Sequence, residues 1–136
     1  MSSASGSLDA NILLRLLLND IPDHHQAVLK LFRNASGQFA VADTAIIEIA
    51  FVLCGKHYAF TREQVAEAID GLMKLKEVNC NRMLFDKALP LFVAHPKLSF
   101  EDCCLSVYAT LGDAEPLWTF DRKLANQAPS AKLVAL

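Results

Sequence analysis

The stretch Gln38-Phe39-Ala40-Val41-Ala42-Asp43-Thr44-Ala45-Ile46-Ile47-Glu48-Ile49-Ala50-Phe51-Val52-Leu53-Cys54-Gly55 decides how the rest of the chain is read. Residues 38–42 are short and apolar and follow Ser36-Gly37, the pattern of a buried strand. Asp43 or Thr44 then caps a helix that runs to about Gly55. A buried strand leading at once into an apolar helix belongs to a parallel sheet covered by helices on both faces. Glu48 is the only charged residue between Asp43 and Lys56. A lone buried carboxylate is costly unless paired, protonated or metal-bound. The blander alternative is a solvent-facing stripe of Thr44, Glu48 and Gly55.

The same alternation extends in both directions. Upstream, residues 12, 13, 14, 16, 17 and 18 are leucine or isoleucine, broken only by Arg15. That predicts a buried helix starting at Asp9 or Ala10. Residues 4–8, Ala-Ser-Gly-Ser-Leu, precede it and make a poor strand by propensity. A turn at residues 19–23 leads to an amphipathic helix over 24–34, with Ala27, Val28, Leu31 and Phe32 inward. Downstream, Thr61 and Gln64 form a capping box for a helix carrying Val65, Ala68, Ile69, Leu72 and Leu75. A short strand is expected over 77–80 and a helix over 82–94, with Leu84, Ala88, Leu91 and Phe92 inward. Pro90 should kink that helix or start a new turn. Ser99 to Asp102 opens another helix, carrying Leu105, Val107, Ala109 and Leu111, which stops at Gly112. Residues 116–120 read as a strand, Asp121 opens a short helix to about Gln127, and 132–135 read as a final strand.

The 136 residues suit one domain over 1–136, with residues 1–7 a flexible or added leader rather than a secretory signal. No apolar run approaches the ~20 residues that span a bilayer. At 53% hydrophobic the chain should bury a large core, and a partner can cover further apolar surface. A net charge of -2 and an isoelectric point near 6.0 argue against a protein that merely coats nucleic acid. They argue less against an enzyme that holds phosphates through metal ions. Cys54, Cys80, Cys103 and Cys104 show no zinc-ligand spacing and read as reduced, buried thiols in a cytoplasmic setting.

Four carboxylates stand at comparable junctions: Asp9, Glu48, Asp102 and Asp121. Each Asp alone reads as a helix cap. Together they are informative, because in a parallel sheet the strand ends and the following helix starts line one edge, where ligand sites form. Carboxylates gathered there repel one another, and a hard divalent cation with a preference for oxygen relieves the repulsion.

At these residues the chain resembles the PIN-domain nucleases, most closely the VapC-type toxin ribonucleases of toxin–antitoxin pairs. The resemblance rests on Leu8-Asp9-Ala10-Asn11-Ile12-Leu13, on Thr44-x-x-x-Glu48 with Val52-Leu53, on Leu98-Ser99-Phe100-Glu101-Asp102, and on Leu117-Trp118-Thr119-Phe120-Asp121. It implies a three-layer α/β/α domain with a central, mainly parallel sheet of four or five short strands. It implies that Asp9, Glu48, Asp102 and Asp121 bind one or two Mg²⁺ or Mn²⁺ ions, with Asn11 and Thr119 supporting the shell or touching substrate. The reaction implied is metal-assisted hydrolysis of an RNA phosphodiester with no side-chain nucleophile. A small antitoxin protein and a homodimer are the implied partners. Arg15, Arg122 and Lys123 are the cations nearest the motifs. Trp118 reads as core rather than as a stacking platform for bases, and His24-His25 as an exposed helix start rather than a metal pair.

Two competing functions start from the same residues. One is a catalytically silent PIN-like module that binds protein. The other is a different Mg²⁺-dependent phosphohydrolase working through a phosphorylated aspartate. That chemistry wants a second acid two residues after the first, and the chain has Asn11 there.

Overall fold

The computed structural model describes residues 4–136, which pack as two compact units, one ending at Asn81 and one spanning Arg82–Leu136. The first unit runs β1 (Gly6–Leu8), α1 (Ala10–Leu17), α2 (Pro22–Arg33), β2 (Phe39–Val41), α3 (Asp43–Cys54), α4 (Arg62–Met73) and β3 (Val78–Asn79). Its three strands lie in the order β1-β2-β3, all parallel, with Leu8 opposite Val41 and Phe39 opposite Val78. The mixed α/β class and the parallel pairing expected from the alternation are therefore present.

β1 forms despite its poor propensity. The amide of Ser5 donates to the carbonyl of Gln38 at 2.8 Å, and Gly6 adopts φ +121°, which a residue with a Cβ rarely takes. The ladder to β2 outweighs the local preference. Of the residues expected to be a leader, Met1–Ser3 lie outside the described residues, whereas Gly6 and Ser7 belong to β1. The sheet's helices bury Leu13, Ile46, Ile49, Leu53, Val65 and Ile69 completely. The capping box at α4 is complete, with Thr61 accepting from the amide of Gln64 and Gln64 accepting from that of Thr61. α2 starts at Pro22, earlier than expected, because proline suits the first helical position. It buries Val28 and Phe32 but leaves Ala27 and Leu31 exposed.

The second unit runs α5 (Arg82–Ala94), α6 (Phe100–Leu111), β4 (Leu117–Thr119), α7 (Arg122–Gln127) and β5 (Ala131–Leu133). Its core is a pair of helices meeting through Phe85, Phe92 and Phe100, with ring centroids 5.3–5.9 Å apart. α5 has the expected bounds and continues through Pro90, which stands on its exposed side. β4 and β5 pair in parallel, with Trp118 opposite Lys132. Buried Ser106 and Ser130 share a 2.7 Å hydroxyl contact, and the Ser130 hydroxyl also donates to the Ser106 carbonyl at 2.9 Å. Both buried polar groups are thereby satisfied where α6 meets the start of β5. No helix among the described residues is long and apolar enough to cross a membrane.

Candidate functional site

The first unit carries Asp9, Asn11 and Glu48. Asp9 follows the last residue of β1 directly and is the N-cap of α1, with φ −88° and ψ 173°. Its Oδ1 accepts from the amide of Ile12 at 3.0 Å. Leu8 before it and Ala10 after it are buried, so the packed core fixes the corner while the carboxylate stays exposed. The cap uses one oxygen, and Oδ2 makes no hydrogen bond among the described residues. Asn11 is exposed in the first turn of the same helix.

Glu48 corrects a premise. It is exposed, and so are Thr44 one turn before it and Phe51 and Cys54 after it. The solvent-facing stripe is real, and Phe51, 80% exposed, is part of it. A helix apolar on almost every side gives no clue to its rotational phase, and here the phase turns Glu48 outward. The cost of burial therefore gives no argument for a ligand at Glu48. What remains is an exposed carboxylate with no hydrogen-bond or ion-pair partner among the described residues, on the second turn of the helix that follows β2.

Asp43 was read only as a cap. The N-cap of α3 is instead Ala42, without a side-chain bond, and Asp43 accepts from the Asn81 carboxamide at 3.3 Å. Asp43 and Asn81 follow the C-terminal ends of β2 and β3, and Asp9 follows that of β1. These residues share the edge at which ligand sites of parallel sheets form. The Asp-Thr pair opening an apolar helix just after a strand was the sequence signal for this position.

The second unit carries Asp102, Thr119 and Asp121. Ser99, not Asp102, caps α6, accepting from the Asp102 amide at 3.0 Å. The half-buried Asp102 carboxylate makes no hydrogen bond among the described residues. Asp121 is the N-cap of α7, and its Oδ1 accepts from the amides of Lys123 at 2.9 Å and Leu124 at 3.4 Å. The Asp121 amide in turn donates to Thr119 Oγ1 at 2.9 Å. Thr119 thus holds the corner that presents Asp121, with Oδ2 left over from the cap.

Asp9 and Glu48 lie in one unit, and Asp102 and Asp121 in the other. Among the described residues no three His, Cys, Asp or Glu side chains form a group that could hold a metal ion. The donor chemistry nonetheless suits a hard cation. All four groups are carboxylates, and each keeps at least one oxygen uncommitted, whereas a thiol or imidazole set would favour softer metals.

Several neighbouring residues differ from expectation. Arg15 is 7% exposed and is not a free surface cation. Its guanidinium reaches Asp20 at 3.1 Å and the Tyr58 hydroxyl at 3.3 Å, and Tyr58 donates to Asp20 at 2.7 Å. The Tyr58 hydroxyl and then the Arg15 charge hold the Asp20 carboxyl below its ordinary range. Arg122 and Lys123 are exposed, as a substrate contact requires. Trp118 is not core: it is 57% exposed. His24 is exposed, and His25 Nδ1 lies 2.7 Å from the Arg15 carbonyl, a contact that ties the first turns of α2 to α1. Cys54 is exposed rather than buried, although packing around it pushes its thiol up, while Cys103 and Cys104 are buried. An open groove of about 570 Å³ lined by Phe32, Arg33, Ser36, Gly37, Gln38 and Lys76 lies at the opposite, N-terminal ends of β2 and β3.

No curated protein matches the chain. The sequence model of the PIN domain family matches residues 7–128, a span running from β1 through α7 and including Asp9, Glu48, Asp102 and Asp121, and the chain belongs to the PIN domain family.

Proposed function

We infer that the chain acts as PIN domains generally do, as a nuclease that uses divalent metals. We propose that this chain is a Mg²⁺- or Mn²⁺-dependent endoribonuclease of the VapC toxin type, working as a single domain over 1–136 and neutralised by a small antitoxin protein. Asp9, Glu48, Asp102 and Asp121 would hold one or two ions, with Asn11 and Thr119 beside them. The observation that carries this reading is the repeated strand-to-helix corner. Asp9 and Asp121 each directly follow a parallel strand or its next residue, cap the next helix with Oδ1 and keep Oδ2 available. A divalent cation supplies Lewis acidity and water of lowered pKa. The chain's own residues supply its anchorage: the cap bonds stop the two aspartates from rotating, and Thr119 fixes the backbone of the second. Preorganised carboxylates of this kind need not be reorganised during the reaction.

The test is cleavage of a structured RNA by the purified chain with Mn²⁺, with and without chelator, beside Asp9→Asn. Cleavage that requires metal and is lost in Asp9→Asn is the expected result. Metal binding without cleavage of any RNA pool would instead identify a silent protein-binding module.

A further inference from the structure

We infer that Trp118, Phe120 and Lys132 form a shelf on which unpaired bases of a single-stranded RNA substrate stack, next to Asp121. This deepens the nuclease reading and rests on it. Trp118 and Phe120 are 57% and 67% exposed, whereas Phe85, Phe92 and Phe100 of the same unit are at most 5% exposed. Two large aromatic rings two residues apart on one exposed segment are poorly placed for the unit's core and well placed for a π-faced ligand. Lys132 stands opposite Trp118 in the strand register, and its ammonium lies 5.7 Å from the indole centroid. Exposed Arg122 and Lys123 follow Asp121 at once. In a chain of net charge -2, one cation thus lies over the indole and two more follow Phe120 within three residues. Exposed aromatic rings with a cation beside them complement a base attached to a phosphodiester better than they complement an apolar protein face. Thr119, between the rings, anchors the Asp121 amide, so the shelf and the proposed ligand belong to one short rigid corner. The bases must be unpaired, because a duplex offers no free base face.

Trp118 is the chain's single tryptophan, so its fluorescence reports the shelf directly. The full chain is titrated in chelator with a short oligouridylate and, separately, with the same strand annealed to its complement. Saturable quenching by the single strand alone is expected. Trp118→Ala should weaken binding about 5- to 100-fold, with Trp118→Phe recovering most of it. Lys132→Ala should lower the salt slope by about one. With Mn²⁺, Trp118→Ala should raise KM and leave kcat nearly unchanged. If wild type is quenched by the single strand yet cleaves no RNA, the nuclease reading fails and the shelf stands. If wild type cleaves RNA without quenching, and Trp118→Phe and Trp118→Ala keep its KM, the shelf is overturned and the nuclease reading stands. Self-association that Trp118→Ala abolishes, with RNA affinity unchanged, also overturns the shelf and assigns the rings to a protein contact. The wild-type titration and the Phe variant keep the question open to refutation if the Ala variant does not fold.

Discussion

The corners at Asp9 and Asp121 do the same job by different means. At Asp9 the flanking residues are buried, β1 is laddered to a three-stranded sheet, and the cap holds one amide. At Asp121 the flanks Phe120 and Arg122 are exposed, β4 has one partner strand, and the position is fixed by three polar contacts: two amides onto Oδ1 and the Asp121 amide onto Thr119. Apolar packing places the first carboxylate, and hydrogen bonding places the second. The first should therefore respond to lost volume, and the second to lost acceptors.

The largest effect should be on activity. Asparagine caps a helix as well as aspartate but is a poorer ligand for a hard cation. Asp9→Asn and Asp121→Asn should each reduce Mn²⁺-dependent cleavage about 1,000-fold or more while leaving the melting temperature nearly unchanged. Full activity in both variants would reduce the corners to caps. Next, Leu13→Ala, which opens a cavity behind Asp9, should cost about 2–5 kcal/mol in denaturant unfolding. Gly6→Ala should cost about 1–3 kcal/mol through backbone strain alone, because nothing lies within 4 Å of the added methyl group. Thr119→Val should cost about 0.5–1.5 kcal/mol, since it removes only one hydrogen bond, yet it should lower cleavage noticeably. A loss of activity no greater than the loss of stability would contradict the polar wiring of that corner.

The smallest effect concerns pH. Asp20 has a folded pKa below its ordinary value of 3.8, so its contribution to stability is complete above about pH 4 and is lost as the pH falls through the lower folded value. Tyr58→Phe removes the main cause of the shift. Its melting curve should therefore show a shallower acid dependence below about pH 4 than that of wild type.

Element boundaries were largely legible because local chemistry sets them. The Thr61–Gln64 box, the Gly112 stop and the bounds of α5 all follow from residues within a turn of the boundary. Exposure was less legible, because tertiary neighbours decide it. Leu31, Phe51 and Trp118 look like core by composition, and the structure turns them outward. Arg15 looks like surface, and the structure buries it against Asp20 and Tyr58, the latter 43 positions away in the sequence. β1 illustrates the same limit, since Gly6-Ser7-Leu8 becomes a strand only because β2 offers its edge. For the candidate site, the aspartate corners were readable from strand-then-Asp punctuation. The phase of α3, which decides where Glu48 points, was not, because almost every side of that helix is apolar.

Arg15 has a consequence for the uniqueness of the fold. A short helix with aliphatic side chains at six of its seven positions from 12 to 18 can roll about its axis and still offer the core an oily face. Rolling would drag the buried guanidinium off Asp20 and Tyr58 and lose both hydrogen bonds, which costs more than exchanging one leucine for another. The single cation thus acts as a key in its slot. It adds little to the depth of the folded well, but it removes the neighbouring wells in which Asp9, six residues earlier on the same rod, would face the wrong way.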